Sequence, residues 1–431
     1  MNIFWFRRDL RLHDNAGLYH ALKEGRPVLP VFIFDTNILD DLEDKDDARV
    51  MFIHDTLIRM NEELQKLGSA LHVYHGTPEK VFRTITAEFE IEKVFTNRDH
   101  ELYALDRDSK MIELLARKAI TFHDHKDQVI FDRSEIMKDD GTPYAVFTPY
   151  SRKWKSELSA FYLEEYPTKK YFRNFYQCAP KKIPSLGHMG FKRSKMEIPS
   201  MEVPDSLIKN YTKERDFPGE DSTSRLGIHL RFGTISIRKL ASHVRKLSDV
   251  YLNELIWREF YQMVLFHFPH VGRGEAFKKE YDRIEWRYDE NQFKLWCAGK
   301  TGYPLVDAGM RQLNETGFMH NRVRMVTASF LSKHLLIDWR LGEAYFARLL
   351  LDYDFASNNG GWQWSAGTGC DASPYFRIFN PTAQAKKFDP QLKYIKRWVP
   401  ELESFDYPDP IVEHEFARER CLKAYRKALG K

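Results

Sequence analysis

The chain has 431 residues, of which 66 are basic and 62 acidic, for a formal net charge of +4. That length suits two domains, or one large helical body with an added one, and the nearly balanced charge permits a nucleic-acid partner without announcing it. Cys178, Cys297, Cys370 and Cys421 lie far apart with no CxxC or Cys/His spacing, which argues against zinc and iron–sulfur sites, so no metal is expected. No run of about 20 apolar residues is present to span a membrane. Charge follows the short apolar start at Arg7 and Arg8, the reverse of a signal peptide, so the expectation is a cytoplasmic monomer with reduced thiols.

Residues 2–6, 28–34, 70–74 and 93–96 read as strands, and residues 16–24, 50–67 and 78–89 as helices. Their alternation predicts an α/β domain over residues 1–130, a Rossmann-like parallel sheet with helices on both faces. After the first strand stands Arg7-Arg-Asp-Leu-Arg-Leu-His-Asp-Asn15 and not a GxGxxG turn, so a standard NAD site is not expected. Residues 131–205 turn irregular, with prolines from Pro143 to Pro204 and paired lysines at Lys169-Lys170 and Lys181-Lys182, and read as a long interdomain connector. From residue 206 helical periodicity dominates, which predicts an all-helical domain over 206–431.

Most of the chemistry falls in that helical part. Thr223-Ser224-Arg225-Leu226-Gly227 sets two hydroxyls, a guanidinium and a glycine ahead of a helix, either as an ordinary N-cap or as a cradle for a pyrophosphate. In the helix starting near Tyr251, Leu252, Leu255, Ile256 and Phe260 share one face, and Glu254, Trp257, Arg258 and Tyr261 the other. A tryptophan on the polar face either covers its neighbours or offers a stacking platform beside a carboxylate, suited to unpaired bases. Asn321, Arg324, Met325 and Ala328 fall on one face of a later helix. Arg324 there requires a buried partner, and Asp352 is the candidate, as a structural ion pair or as part of a site. The densest text runs Asp352-Tyr353-Asp354-Phe-Ala-Ser-Asn358-Asn-Gly-Gly-Trp362-Gln-Trp364. Its glycines allow close backbone approach, its amides and carboxylates offer donors and acceptors, and its indoles offer flat faces, which together fit a large polar-edged aromatic ligand. Trp286, Trp339 and Trp362 are widely spaced and read by default as three core residues. Arg215, Arg322, Arg324, Arg377, Lys386, Lys387, Lys393, Lys396 and Arg397 are each plain surface residues, or jointly a rim that would hold backbone phosphates and release them as salt rises.

Together, the 253–261, 321–325 and 352–364 segments resemble the flavin pocket of the photolyase and cryptochrome family, most closely the class I cyclobutane pyrimidine dimer photolyases, and the likeness covers nearly the whole chain. The resemblance implies an antenna-type α/β domain followed by a helical FAD-binding catalytic domain. It further implies one FAD, active as the reduced anion, which on excitation gives an electron to a pyrimidine dimer in DNA; the ring splits and the electron returns. Tyr211, Thr223, Ser224, Arg225, Leu226, Gly227, Arg258, Arg324, Asp352, Tyr353, Asp354 and Asn358 become the cofactor contacts by this resemblance. Gly227 stands where many relatives carry Ser, so one side-chain bond to phosphate is lost while the backbone donor remains. Glu254, Trp257, Asn321, Met325, Asn358 and Trp364 become the catalytic set, with Glu254 bonding the edge of the dimer and Trp257 and Trp364 walling it. Asn358 is an amide where cryptochromes carry Asp or Cys. Trp286, Trp339 and Trp362 match the family's electron-hopping chain, with Trp362 nearest the flavin. Arg215, Glu254, Trp257, Tyr261, Asn321, Arg322 and Gln384 match its DNA contacts.

Two other members of that family are the rivals. Cryptochrome photoreceptors often carry an added C-terminal tail, and (6-4) photolyases use a histidine pair where this chain reads Met319-His320-Asn321. For an antenna chromophore, folate-binding relatives carry an Asn-Glu pair aligning with Tyr103-Ala104 and a Cys-Lys pair aligning with Gly272-Arg273. With both missing, the text from Phe34 to Leu39 and from Tyr103 to Asp108 looks more like members that bind deazaflavin or FMN.

Overall fold

The computed structural model describes all 431 residues. Strand Asn2–Phe6 (β1) and strand Val28–Asp35 (β2) are buried along their whole length, the mark of strands covered on both faces. With His72–Gly76 (β3), Lys93–Asn97 (β4) and Thr121–His125 (β5) they form one parallel sheet in the order β3-β2-β1-β4-β5. The expected third strand is shifted two residues on, to His72–Gly76, and the second helix starts two residues earlier and ends one earlier than expected, at Ala48–Lys66. Helix Leu102–Ala116 and β5 had no counterpart in the expectation. β5 is an edge strand, half-exposed and written Thr-Phe-His-Asp-His, so it lacks the apolar run that betrays a buried strand.

The strand order reverses between β1 and β4, the place where doubly wound sheets open a crevice. There Asn15 caps helix Ala16–Lys23 by accepting the Leu18 N–H (3.1 Å), and the Gly17 N–H donates to Asn97 Oδ1 at 2.8 Å. A Cβ on Gly17 would sit 2.8 Å from that oxygen and 2.9 Å from the Phe4 ring, so glycine sets how closely this helix approaches the sheet.

The chain forms two compact units. One comprises Met1–Asp132, Leu158–Met201 and Leu226–His243; the other comprises Arg133–Glu157, Glu202–Arg225 and Val244–Lys431. The 131–205 stretch is therefore not a single connector. Its helix Phe147–Glu157 belongs to the helical unit, where Trp154 Nε1 donates to Glu259 Oε2 at 2.6 Å and Ser151 Oγ to Asn253 Oδ1 at 3.0 Å. Residues 158–201 lie on the sheet unit, with the Tyr176 N–H donating to the Val28 carbonyl (2.8 Å) and Asn174 Nδ2 to the Leu22 carbonyl (2.9 Å). Residues 226–243, expected in the helical domain, also join the sheet unit, because Arg238 pairs with Asp14 and Asp127 at 2.8 Å each, all three side chains being buried. Removing one partner would leave an uncompensated buried charge.

The helical unit is built around a core that includes Trp296, Val323, Leu331, Trp339 and Trp362. Helix Phe355–Ala366 packs against helices Asp249–His267, Asn321–Ser329 and Trp339–Leu349. Gly360 permits this: a Cβ there would fall 2.2 Å from the Tyr261 ring. No helix is long and apolar enough to cross a membrane.

Candidate functional site

A cavity of about 380 Å³ opens among these four helices, within the size range of cofactor and ligand pockets. Helix Asp249–His267 contributes Glu254, Trp257, Arg258 and Tyr261 to its wall. The Trp257 indole stacks on the Phe147 ring with 3.7 Å between centroids and 5° between planes, so one face is backed by a fixed aromatic. Glu254 forms an ion pair with Arg215. Burial pushes its carboxyl up, and the Arg215 guanidinium opposes that shift. Arg215 in turn lies over the Tyr211 ring at 5.2 Å.

On helix Asn321–Ser329, Arg324 Nη2 donates to both oxygens of Asp352 (3.1 and 2.9 Å) and its Nε to the Met319 carbonyl at 2.7 Å. The partner inferred for Arg324 from its sequence position is the one found. His320 caps this helix, its Nδ1 accepting the Arg322 N–H at 3.2 Å, and burial pushes its pKa down to about 4, which keeps the imidazole neutral. Asp354 caps helix Phe355–Ala366 by accepting from Ser357 N–H (3.1 Å) and Oγ–H (3.0 Å). One turn on, Asn358 Nδ2 donates to the backbone carbonyl of Glu343 (3.2 Å) and to its Oε1 (2.9 Å). Trp362 lines the cavity; its indole Nε1 is buried with no hydrogen-bond partner, and its ring meets Trp296 (6.0 Å, 71°) and Phe346 (4.9 Å, 77°).

The cavity thus gathers Arg215, Glu254, Trp257, Arg258, Tyr261, Asn321, Arg324, Met325, Asp352, Tyr353, Asp354, Asn358, Trp362 and Trp364 from positions spread over 150 residues of sequence. Other expected residues lie outside it. Tyr211 sits edge-on to Tyr251 at 5.0 Å, and the Tyr251 hydroxyl donates to Ser224 Oγ at 2.6 Å. Arg225 has a left-handed backbone (φ 51°), pairs with Asp221 at 3.0 Å and lies over Phe318 at 4.8 Å. Thr223 is beside them in the same unit, whereas Leu226 and Gly227 belong to the sheet unit. Arg322 turns to Asp216 (2.7 Å) and the Phe388 ring (4.3 Å), and Gln384 keeps a buried, unpartnered Oε1. Trp339 is fully buried, while Trp286 is half-buried and meets Tyr425 at 6.1 Å.

Phe147, Trp296, Glu343 and Phe346 were not expected at or behind this wall. Phe147 lies in proline-rich text, and Glu343 sits among Arg340 and Arg348 at a spacing that reads as a solvated helix face. In the sheet unit, the expected antenna residues do come together: Asp35 accepts from the Tyr103 hydroxyl, and Arg107 lies over the rings of Trp5 (5.0 Å) and Tyr103 (5.8 Å).

Residues 2–170 match the DNA photolyase family and residues 251–406 match the FAD binding domain of DNA photolyase. The chain is 36% identical to the deoxyribodipyrimidine photo-lyase of Halobacterium salinarum, with all of both chains covered, and 35% identical to that of Escherichia coli over 99% of this chain and 98% of the relative. A crystal structure described as a bacterial class III photolyase from Agrobacterium tumefaciens superposes with a TM-score of 0.87 at 34% identity, covering 100% of this chain and 98% of the other. A photolyase from Sulfolobus tokodaii, described with two FAD molecules, gives 0.82 at 33%, with 99% and 100% covered. The chain belongs to the DNA photolyase family, a family of enzymes, and its helical unit carries that family's FAD-binding domain.

The residues fit such a cofactor. The Arg324–Asp352 fork and the Asn358 amide supply hydrogen-bonding groups at the cavity. A Cβ built on Gly361 meets nothing within 4 Å, so the backbone there is open to close approach by a flat ring.

Proposed function

We propose that this protein repairs cyclobutane pyrimidine dimers in DNA under light, as a class I photolyase. The observation that carries this reading is the Trp257 indole, braced on Phe147 with Glu254 beside it, in the same cavity as Arg324, Asp352 and Asn358. An extruded dimer needs a face to stack on and an acceptor at its base edges, and this wall offers both. Bound FAD supplies, when reduced and excited, the electron that splits the dimer. Glu254 holds the dimer's edge, Trp257 and Trp364 exclude water from it, and Asn321 and Met325 fill the space beside it. Arg258, Arg324, Asp352, Tyr353, Asp354 and Asn358 orient the cofactor. Tyr211, Thr223, Ser224, Arg225, Leu226 and Gly227 serve its phosphate side. Ser224 accepts from the Tyr251 hydroxyl, which leaves its own O–H to donate. Trp362, Trp339 and Trp286 pass electrons inward from the surface. Arg215, Tyr261, Arg322 and Gln384 form the DNA-facing rim, and an antenna of deazaflavin or FMN type sits in the sheet unit near Asp35, Tyr103 and Arg107. The protein works as a cytoplasmic monomer on the nucleoid.

The test is to illuminate the prereduced protein with DNA carrying one defined lesion. Restoration of the cyclobutane dimer alone is expected. Restoration of the (6-4) product instead would show the other repair activity, and no restoration of either would favour a photoreceptor. The absorbance spectrum of the purified protein identifies the antenna.

A further inference from the structure

Helix Phe147–Glu157 begins without a capping side chain of its own. Val146 precedes it and has no acceptor, and Pro149 in its first turn has no N–H, so the Phe147 N–H is one of the few donors that this end presents. Its partner comes from 224 residues further along the chain: the Phe147 N–H donates to Asp371 Oδ2 at 3.1 Å. In return the Asp371 N–H donates to the Ala145 carbonyl, also at 3.1 Å. Asp371 thus grips the chain on both sides of Val146, with its side chain and with its backbone. It does so at φ 46°, in the left-handed region that Asp and Asn enter more readily than other L residues. Its carboxylate also meets the positive end of the helix dipole.

This grip holds Phe147, the ring that lies 3.7 Å behind Trp257 with 5° between planes. The body of the same helix is tied down separately, by Ser151 Oγ to Asn253 and by Trp154 Nε1 to Glu259. Those bonds lie one and two turns further on, so they fix the helix and leave the seat of its first residue to Asp371. Asp371 itself is not among the residues lining the cavity. We propose that Asp371 is a positioning residue for lesion recognition: by clamping residues 145–147 it seats the Phe147 ring flat behind Trp257, so that the indole is already oriented when an extruded base arrives. The inference rests on the stacking role given to Trp257 above. An indole without that backing turns about its side-chain bonds, and binding then has to order it. Phosphates of undamaged DNA do not reach this stack, so their binding does not depend on the clamp.

Affinity for a duplex with one cyclobutane dimer, and for the same duplex undamaged, tests this in Asp371→Gly and Asp371→Asn, each with and without Phe147→Ala. Glycine suits the left-handed backbone and removes only the acceptor, whereas asparagine keeps both the backbone preference and an acceptor oxygen. Asp371→Gly is expected to bind the dimer-bearing duplex about fivefold more weakly, the scale of ordering one side chain, with undamaged DNA unaffected. Asp371→Asn should stay within about twofold of wild type, as the exchange of one capping acceptor for another allows. In the Phe147→Ala background Asp371→Gly should cost nothing further. Should Asp371→Gly fail to fold, Phe147→Leu keeps apolar bulk and removes the flat ring, and the same fall in lesion affinity is expected of it. Full lesion affinity in Asp371→Gly or Phe147→Leu, an equal fall in Asp371→Asn, a fall that persists without Phe147, or an equal fall on undamaged DNA overturns the proposal. Trp257→Ala, measured beside them, keeps the two readings apart. If it loses lesion affinity while Asp371→Gly does not, the clamp alone fails; if it binds both DNAs as the wild type does, the stacking platform fails and the clamp with it.

Discussion

Glu254 is held by one partner and offered to another. Its bridge to Arg215 leaves the two side chains 31% and 25% exposed, and a pair so placed is worth about 0–1 kcal/mol. A hydrogen bond from a base edge to a charged carboxylate is worth about 1.5–3 kcal/mol, enough to draw Glu254 away from Arg215. Glu254→Ala should therefore lower repair yield several-fold with FAD content unchanged, and should not weaken binding to undamaged DNA, since Arg215 is then released toward phosphates. Full repair by this variant at saturating DNA would remove Glu254 from the mechanism. Trp257 is held differently, flat on Phe147. Trp257→Ala should lose about 1–3 kcal/mol of affinity for the lesion and almost none for undamaged DNA, because stacking is worth that much per base. Titration of both DNAs decides, and equal losses would mean a collapsed helix surface. The place of Trp257 beside Glu254 was legible in the sequence because a tryptophan broke an otherwise polar helix face. Its backing was not, because Phe147 stands 110 positions upstream in text with no periodicity.

Helices carry the same contrast between local and distant signals. The face shared by Asn321, Arg324 and Met325 followed from a 3.6-residue period, and the partner of Arg324 followed from the need of a guanidinium for an anion. The interruption Phe330–His334, a single π-type turn after Asn321–Ser329, followed from neither. Nor did the neighbour of Trp362, whose ring contacts are Trp296 and Phe346, with Trp339 buried in the same core. The tryptophan helices therefore give a sharp prediction. Trp362→Phe removes no hydrogen bond, since the indole nitrogen has none, and costs roughly 1–2 kcal/mol of packing. It should abolish light-driven reduction of oxidised FAD yet leave repair by chemically prereduced protein intact. Trp296→Phe should leave both intact if Trp339 and Trp286 are the route. Photoreduction lost in Trp296→Phe but retained in Trp339→Phe would reroute the chain through Trp296.

At the scale of the whole molecule, the alternating first third announced a parallel sheet, and the periodic remainder announced helices. The way the units divide the chain was not announced, because it depends on pairs such as Arg238 with Asp14, 224 residues apart. Both units also bury neutral imidazoles: burial pushes His72 and His125 down to about 4 in the sheet unit, and His320 to about 4 and His334 to about 3 in the helical unit. Between the ordinary histidine value near 6.5 and these lowered values, the unfolded chain binds protons that the folded chain refuses. Stability therefore rises with pH in this window and is lost as pH falls from about 6.5 toward 4, by up to about 1.36 kcal/mol per pH unit for each group. Carboxylates held low, such as Asp127 and Asp132 at about 2, begin to cost stability only below about pH 4. His320→Asn isolates one contribution, because asparagine keeps a cap acceptor for the Arg322 N–H while removing the titration. Denaturant unfolding at pH 7.5 should find the variant within about 1 kcal/mol of wild type, the usual scale of a cap exchange. At pH 5.5 the variant should have lost about 1.4 kcal/mol less than wild type, one proton's worth over one unit. Parallel losses in the two proteins would mean that His320 titrates normally in the folded state, and that neither the burial of its ring nor the cap it makes holds it neutral.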